Sequence, residues 1–224
     1  MPYVDRADAG RHLARALASY KALRPVILAL PRGGVPVAAE VAAALDAPLD
    51  LILVRKIGVP LHPELAMGAV VDGPKPIIVR NDPVIRHAAV SESRFQELCR
   101  RELKEIKRRR RLYLGDRSSI DVAGRVAIVI DDGIATGASV RAALQALRRR
   151  HPKRSVLAVP VGPLARISDL QGLADEVVCL EDIEPYGAVG AVYRDFSQIT
   201  DQEVIDHLRR LSSAPSSAVD PSEN

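Results

Sequence analysis

Tryptophan is absent from this sequence, and five tyrosines and two phenylalanines are its only aromatics. With 47% hydrophobic residues but 3% aromatic, its core has to be built from Ala, Val, Leu and Ile. Cysteine is equally scarce. Cys99 and Cys179 lie far apart with no CxxC, which indicates neither a disulfide framework nor a zinc site and fits a reduced cytosol. No stretch approaches the roughly 20 apolar residues of a membrane span. The first twenty residues carry Asp5, Arg6, Asp8, Arg11 and Arg15 and lack the uninterrupted apolar run of a secretory signal. The expectation is a soluble, cytoplasmic protein.

Charge, by contrast, is plentiful. A net charge of +4 and a pI near 9.3 suit phosphate-rich ligands or nucleic acid, and charge alone does not choose between them. At 224 residues the chain can bury a sizeable core as one domain with an extension. Short apolar runs at 25–30, 49–54, 126–130, 155–160 and 176–180 read as buried strands, with helical segments at 35–45, 140–150 and 164–173 between them. This alternation predicts an α/β fold, a mainly parallel central sheet with helices on both faces. Residues 7–20 form an amphipathic helix that packs on the sheet or on a partner. Residues 65–71 and 76–80 form two further strands, 81–89 is irregular, 91–114 is a long helix with Ser91 as N-cap, and 201–211 is a terminal helix. The tail 212–224, rich in Ser, Pro and Ala, is expected to be disordered.

The most informative stretch is 125–139. After the apolar run 126–130 come Asp131 and Asp132, placed where open α/β sheets bind ligands. Two acceptor-only carboxylates suit vicinal hydroxyls or a magnesium-bound ligand. Ala135, Thr136, Gly137, Ala138 and Ser139 then lead into a helix, where backbone N–H groups and two hydroxyls make an anion cradle. Taken singly, these residues are explained by a turn and a helix cap. Their order is not. A diol binder followed by a phosphate binder describes a ribose 5-phosphate site, and the stretch resembles the PRPP-binding signature of type I phosphoribosyltransferases.

The resemblance spans about residues 26–196 and implies the type I phosphoribosyltransferase fold in one domain, 1–211. Its core is about 25–180, its long basic helix 91–114, and its C-terminal hood region about 181–199. Arg32, Gly33 and Gly34 resemble the short loop that holds pyrophosphate after the first sheet strand; a plain turn is the alternative. Arg55 and Lys56 resemble the basic pair that opens the mobile catalytic loop of adenine-type enzymes, where cations stabilise the departing pyrophosphate. Solvated strand-end charges are the alternative there. The Gly- and Pro-containing span 58–64 is expected to be a loop able to change shape. His62 and Glu64 lack a third ligand nearby in sequence and are left out of catalysis.

Tyr186, Tyr193 and Phe196 cluster within the hood, which in the family chooses the nucleobase. A flat surface for a base and plain core packing explain the cluster equally well. Asp195 matches the Gly-x-x-x-x-Asp-aromatic ending of purine enzymes, where the Asp helps hold magnesium pyrophosphate. The implied reaction is magnesium-dependent displacement of pyrophosphate from PRPP by a ring nitrogen, with PRPP and a nucleobase-like molecule as partners and a homodimer as the assembly. One departure matters. Hypoxanthine-guanine enzymes carry a base-activating Asp where this sequence has Ala135, so the acceptor stays open.

From 100 to 111, eight Lys or Arg and two Glu sum to +6. A solvated helix face is the preferred reading, and nucleic-acid contact the less favoured one, because no aromatics interleave the run. A PRPP- or nucleotide-sensing regulator on the same fold that binds nucleic acid through basic helices is therefore the alternative to an enzyme.

Overall fold

A computed structural model of the chain describes residues 2–73 and 75–213. Its centre is a five-stranded, all-parallel sheet in the order β2-β1-β6-β7-β8, formed by β1 (Val26–Ala29), β2 (Leu49–Leu51), β6 (Val126–Ile130), β7 (Arg154–Gly162) and β8 (Glu176–Asp182). Every residue of β1 and β6 is buried, as continuous Val/Ile/Leu/Ala runs require when both faces are covered. Alternate side chains serve the two faces. Ile128 and Ile130 of β6 join α1 (Arg6–Ala16) and α2 (Gly34–Leu45) through Leu13, Val37 and Val41. Ala127 and Val129 meet Ala143 and Leu147 of α5 (Ala138–Arg148) and Leu170 of α6 (Leu164–Gln171).

Beside this sheet stands an antiparallel ribbon of β3 (Val54–Val59), β4 (His62–Val71) and β5 (Ile77–Arg80). Its Ile57, Met67 and Val70 pack with Phe95 and Ile106 of α4 (Glu92–Leu114), while Ala69 and Val71 pack with α5. The expected strand 49–54 is therefore divided. The chain leaves the parallel sheet at Leu53, whose N–H donates to Asp72 Oδ1 at 2.7 Å instead of to a neighbouring strand. The expected loop 58–64 is mostly strand as well. The two arms close on a turn at Pro60 and Leu61, and the irregularity marked by Gly58 is a shift in ladder register where the backbone of Pro63 comes close. Residues 82–87, expected to be irregular, form the short helix α3 (Asp82–His87) with Pro83 in its first turn, where the missing N–H costs nothing.

Ser91 does cap α4, accepting from the N–H of Arg94 at 3.3 Å. Four of the eight cations in the basic run of this helix are paired with carboxylates of the chain. Arg108 and Arg109 bind Glu105, Arg101 binds Glu102, and Arg110 reaches the buried Asp72 at 2.7 Å. The final helix, α7 (Asp201–Ser213), packs on α2 and α4 and runs two residues into the expected tail. The rest of that tail lies outside the described residues. No described helix is long and apolar enough to cross a membrane.

The strand order positions the site. From β1 the chain moves outward to β2 on one side, and β6 enters on the other, so the carboxyl ends of β1 and β6 flank a topological switch point.

Candidate functional site

Loops from both sides of that switch point touch. A Cβ on Gly34 would stand 2.7 Å from the carbonyl oxygen of Ile130 and 2.9 Å from Asp131 Cα, and one on Gly33 would stand 2.0 Å from Asp132 Oδ2. Only glycine lets the loop after β1, whose Pro31–Arg32 peptide bond is cis, press against the acidic pair after β6. Asp131 Oδ1 accepts from the N–H of Asp132 at 2.9 Å. Burial, and next the charge of Asp132, push the Asp131 carboxyl well above the ordinary carboxylate range.

Beyond the pair, the N–H of Ile134 donates to the carbonyl of Val161 at 2.9 Å and pins the start of the next loop to β7. Gly137 turns left-handed (φ +73) as the N-cap of α5, and no side chain caps that helix. Its first-turn N–H groups are left for an anion, with the exposed Thr136 and Ser139 beside them. Across a cavity of about 480 Å³ from Thr136, Ala138 and Ser139 stands Lys56 of β3, whose Nζ donates to the Glu64 carbonyl at 2.9 Å. Arg80, Asn81 and Gln145 add polar groups to a wall that includes Val54, Ala69 and Val79.

At the far side of the crevice the segment before α1 meets residues 192–195. Tyr3 pairs with the hood segment as a parallel bridge to Tyr193, and the N–H groups of Arg194 and Asp195 donate to the carbonyls of Tyr3 and Val4. Tyr193 is buried, stacks on Phe196 at 5.0 Å between centroids, and donates its hydroxyl to the backbone carbonyl of Asp132. Arg6, the first residue of α1, places Nε 2.8 Å from Asp132 Oδ2. Asp201, at the start of α7, accepts from Tyr113 Oη at 2.6 Å and lies 3.7 Å from Arg32 Nη1.

The phosphoribosyl transferase domain profile matches residues 4–196. The chain belongs to the phosphoribosyl transferase domain family. Relatives in two Mycobacterium tuberculosis strains, MT0597 in CDC 1551 and Rv0571c in H37Rv, carry names describing an inferred phosphoribosyl transferase, and each is 47% identical over 206 residues. That alignment covers 92% of this chain and 46% of theirs, so the chain spans about half the length of these curated relatives. The crystal structure of TT1426 from Thermus thermophilus superposes with a TM-score of 0.81 at 40% identity, covering 94% of this chain and 99% of that one.

Within this phosphoribosyl transferase domain, the structure gathers Arg32, Gly33, Gly34, Asp131 and Asp132 at the switch point, and Ala135 to Ser139 on the next loop. Lys56 reaches the cavity lined by Thr136, Ala138 and Ser139, whereas Arg55 turns away to Glu102 of α4 at 2.9 Å. His62 and Glu64 lie 3.6 Å apart, both well exposed. Of the aromatics, Tyr193 offers no free face, Tyr186 packs partly against the small cluster around Tyr3 and Tyr193, and Phe196 keeps 37% of its surface exposed. Asp195 Oδ1 accepts from the N–H of Ser197 at 2.9 Å, which holds its carboxyl below the usual range. Among the described residues no group of three or more His, Cys, Asp or Glu stands together as a chelating set. Nothing in the sequence marks Arg6 or Asp201 as a site residue, since each is a single charge on a charged helix with no spacing to distinguish it.

Proposed function

We propose that this domain binds PRPP at the switch point and transfers its 5-phosphoribosyl group to a nitrogenous acceptor of the nucleobase class, with release of pyrophosphate. The observation that carries this reading is the direct apposition of Gly33 and Gly34 to Asp132 and Asp131. It brings a candidate pyrophosphate loop and a candidate diol binder within one ligand's length, and the uncapped start of α5 supplies the third subsite.

In the proposed mechanism the 5-phosphate sits on the N–H groups of residues 135–139 with the Thr136 and Ser139 hydroxyls. The ribose hydroxyls sit on Asp131 and Asp132. Arg32 and the Gly33–Gly34 backbone hold the diphosphate, and Lys56 approaches from the ribbon. The acceptor's nitrogen lone pair forms the bond to the anomeric carbon as the bond to the diphosphate oxygen breaks. That electron pair leaves with pyrophosphate, and the acceptor's proton passes to solvent or to a base outside the loop, since Ala135 provides none. The transition state carries positive charge on the ribose, which a fixed carboxylate stabilises, and positioning supplies much of the remaining rate.

Magnesium belongs to this reading as a companion of the substrate. Asp195 is the protein carboxylate this reading assigns to it, and a single carboxylate suits an ion that keeps its waters and binds substrate phosphates. When bound, it neutralises charge on the diphosphate. Phe196, the hood aromatic with exposed surface, is the proposed acceptor contact. A homodimer remains part of the reading, although α1 uses its apolar face on α2 of its own chain.

The test is pyrophosphate release from PRPP across a panel of nucleobases and other amines. Saturable release with one acceptor class, lost in Asp132→Asn, supports the proposal. A protein that neither binds PRPP nor releases pyrophosphate with any acceptor contradicts it.

A further inference from the structure

Arg6 is built into the crevice on three sides. Its side chain is 8% exposed and that of its partner Asp132 is 15% exposed, so this ion pair is largely out of water. Nε donates to Asp132 Oδ2 at 2.8 Å, and Nη1 donates to the carbonyl of Ser197 at 2.8 Å. The guanidinium carbon lies 3.9 Å from the centroid of Phe196 and 5.9 Å from that of Tyr193. Its helix is also fixed. Asp5 caps α1 by accepting from the N–H of Asp8 at 2.7 Å, and residues 3 and 4 are stitched to the hood by backbone hydrogen bonds. A planar guanidinium held at two nitrogens and one face has little freedom left, so the carboxylate it binds is held too.

The direction of that hold matters. Asp132 Oδ2 is drawn to where a Cβ on Gly33 would stand only 2.0 Å away, so the carboxylate lies against the candidate pyrophosphate loop. Without a cation beside it, Asp132 would share a crowded, partly buried site with Asp131, and like charges so placed repel. Arg6 supplies the balancing charge from a helix 126 positions earlier in the sequence.

We propose that Arg6 is the positioning residue of the ribose subsite: it aims and charge-balances the Asp132 carboxylate so that PRPP meets a preset acceptor. This rests on the reading that Asp132 grips the ribose hydroxyls. Arg6 acts through Asp132 and through the Phe196 ring, and makes the N-terminal helix part of the site.

The test is calorimetric titration of wild type, Arg6→Lys, Arg6→Ala, Asp132→Asn and the Arg6→Ala/Asp132→Asn double variant. Three probes are used: PRPP, ribose 5-phosphate and inorganic phosphate. Arg6→Ala is expected to weaken PRPP and ribose 5-phosphate binding by about 10- to 100-fold, the scale of losing a hydrogen bond to a charged group. Arg6→Lys, which keeps the charge and is the variant to use if Arg6→Ala does not fold, should lose about threefold to tenfold because it cannot reproduce the fork. Binding of inorganic phosphate, which does not need the ribose subsite, should be unchanged in both. Added methylguanidinium should restore part of the loss in Arg6→Ala. The double variant should bind PRPP no worse than Asp132→Asn alone, because the two residues act as one unit.

Asp132→Asn weakened while Arg6→Ala and Arg6→Lys bind PRPP like wild type would overturn the role of Arg6 and leave the ribose reading standing. Equal loss for inorganic phosphate and PRPP would reduce Arg6 to a general structural residue. Wild type that does not bind PRPP, or Asp132→Asn that binds it normally, would sink the ribose reading and this inference together.

Discussion

Replacing Gly33 with Ala isolates the contact on which the site depends. Gly33 has φ −61 and ψ −35, a backbone that any L-residue adopts, so the substitution brings no dihedral penalty. Its cost comes from the new methyl alone, which would stand 2.0 Å from Asp132 Oδ2, 2.5 Å from Cγ and 3.0 Å from Oδ1. Ordinary contact begins near 3.4 Å, so the carboxylate must retreat by about 1.4 Å or the loop must rise by the same amount. A retreat of that size must alter the Oδ2 contact with Arg6, now 2.8 Å long. Overpacking of this kind costs roughly 1–3 kcal/mol. At roughly 2–4 °C per kcal/mol for a chain of this size, the melting temperature should fall by about 2–12 °C. PRPP affinity should fall as well, by about 10- to 100-fold, the scale of losing a hydrogen bond to a charged group. Calorimetry and thermal melting of Gly33→Ala read both, and adding Asp132→Ala should return much of the lost stability by clearing the space. Unchanged melting and unchanged PRPP affinity in Gly33→Ala would refute the close approach of the two loops.

Arg110→Ala would leave Asp50 and Asp72 buried without their cation, costing about 3–5 kcal/mol in chemical denaturation; a change under about 1 kcal/mol would show that backbone donors alone satisfy both carboxylates. Asp131→Asn should give a stability gain that depends on pH. The folded chain holds the Asp131 proton above the ordinary value, so its contribution is fully present below about pH 4. It is lost as pH rises through that value towards the folded one, because the unfolded chain ionises first. The variant's advantage in urea should therefore be absent near pH 3 and grow above pH 4, and a difference independent of pH would contradict the raised carboxyl. Asp201→Asn removes a negative charge 3.7 Å from Arg32 and should tighten inorganic pyrophosphate binding by about threefold, with less than about 1 kcal/mol of stability change since the pair is part-exposed. Weaker pyrophosphate binding would show that Asp201 presents Arg32 to its ligand.

The parallel sheet was legible because β1 and β6 are continuous apolar runs and β7 carries one from Val156 to Val161, each too short for a helix. The apposed loops after β1 and β6 stood out because their candidate residues are adjacent in sequence. The ribbon was not legible: Gly58, Pro60 and Pro63 carry loop signals, but the ladder between Val54–Val59 and His62–Val71 absorbs a register shift and keeps both arms extended. Arg55 and Lys56 looked like a functional pair, yet alternation along a strand sends neighbours to opposite faces, one to Glu102 and the other to the cavity. Tyr193 and Phe196 could not be sorted beforehand, because an aromatic serves a core and a ligand surface by the same physics. The structure buries the first and leaves part of the second in solvent. Arg6 and Asp201 belong to contacts that span 126 and 169 positions of sequence, beyond any local pattern.

The most direct measurement is a crystal structure of the protein soaked with PRPP and magnesium. The account predicts the 5-phosphate on the N–H groups of residues 135–139, the ribose hydroxyls on Asp131 and Asp132 with Arg6 still bound to Asp132, and the diphosphate against Arg32, Gly33 and Gly34. PRPP seated elsewhere, with the acidic pair free of ribose, would contradict it.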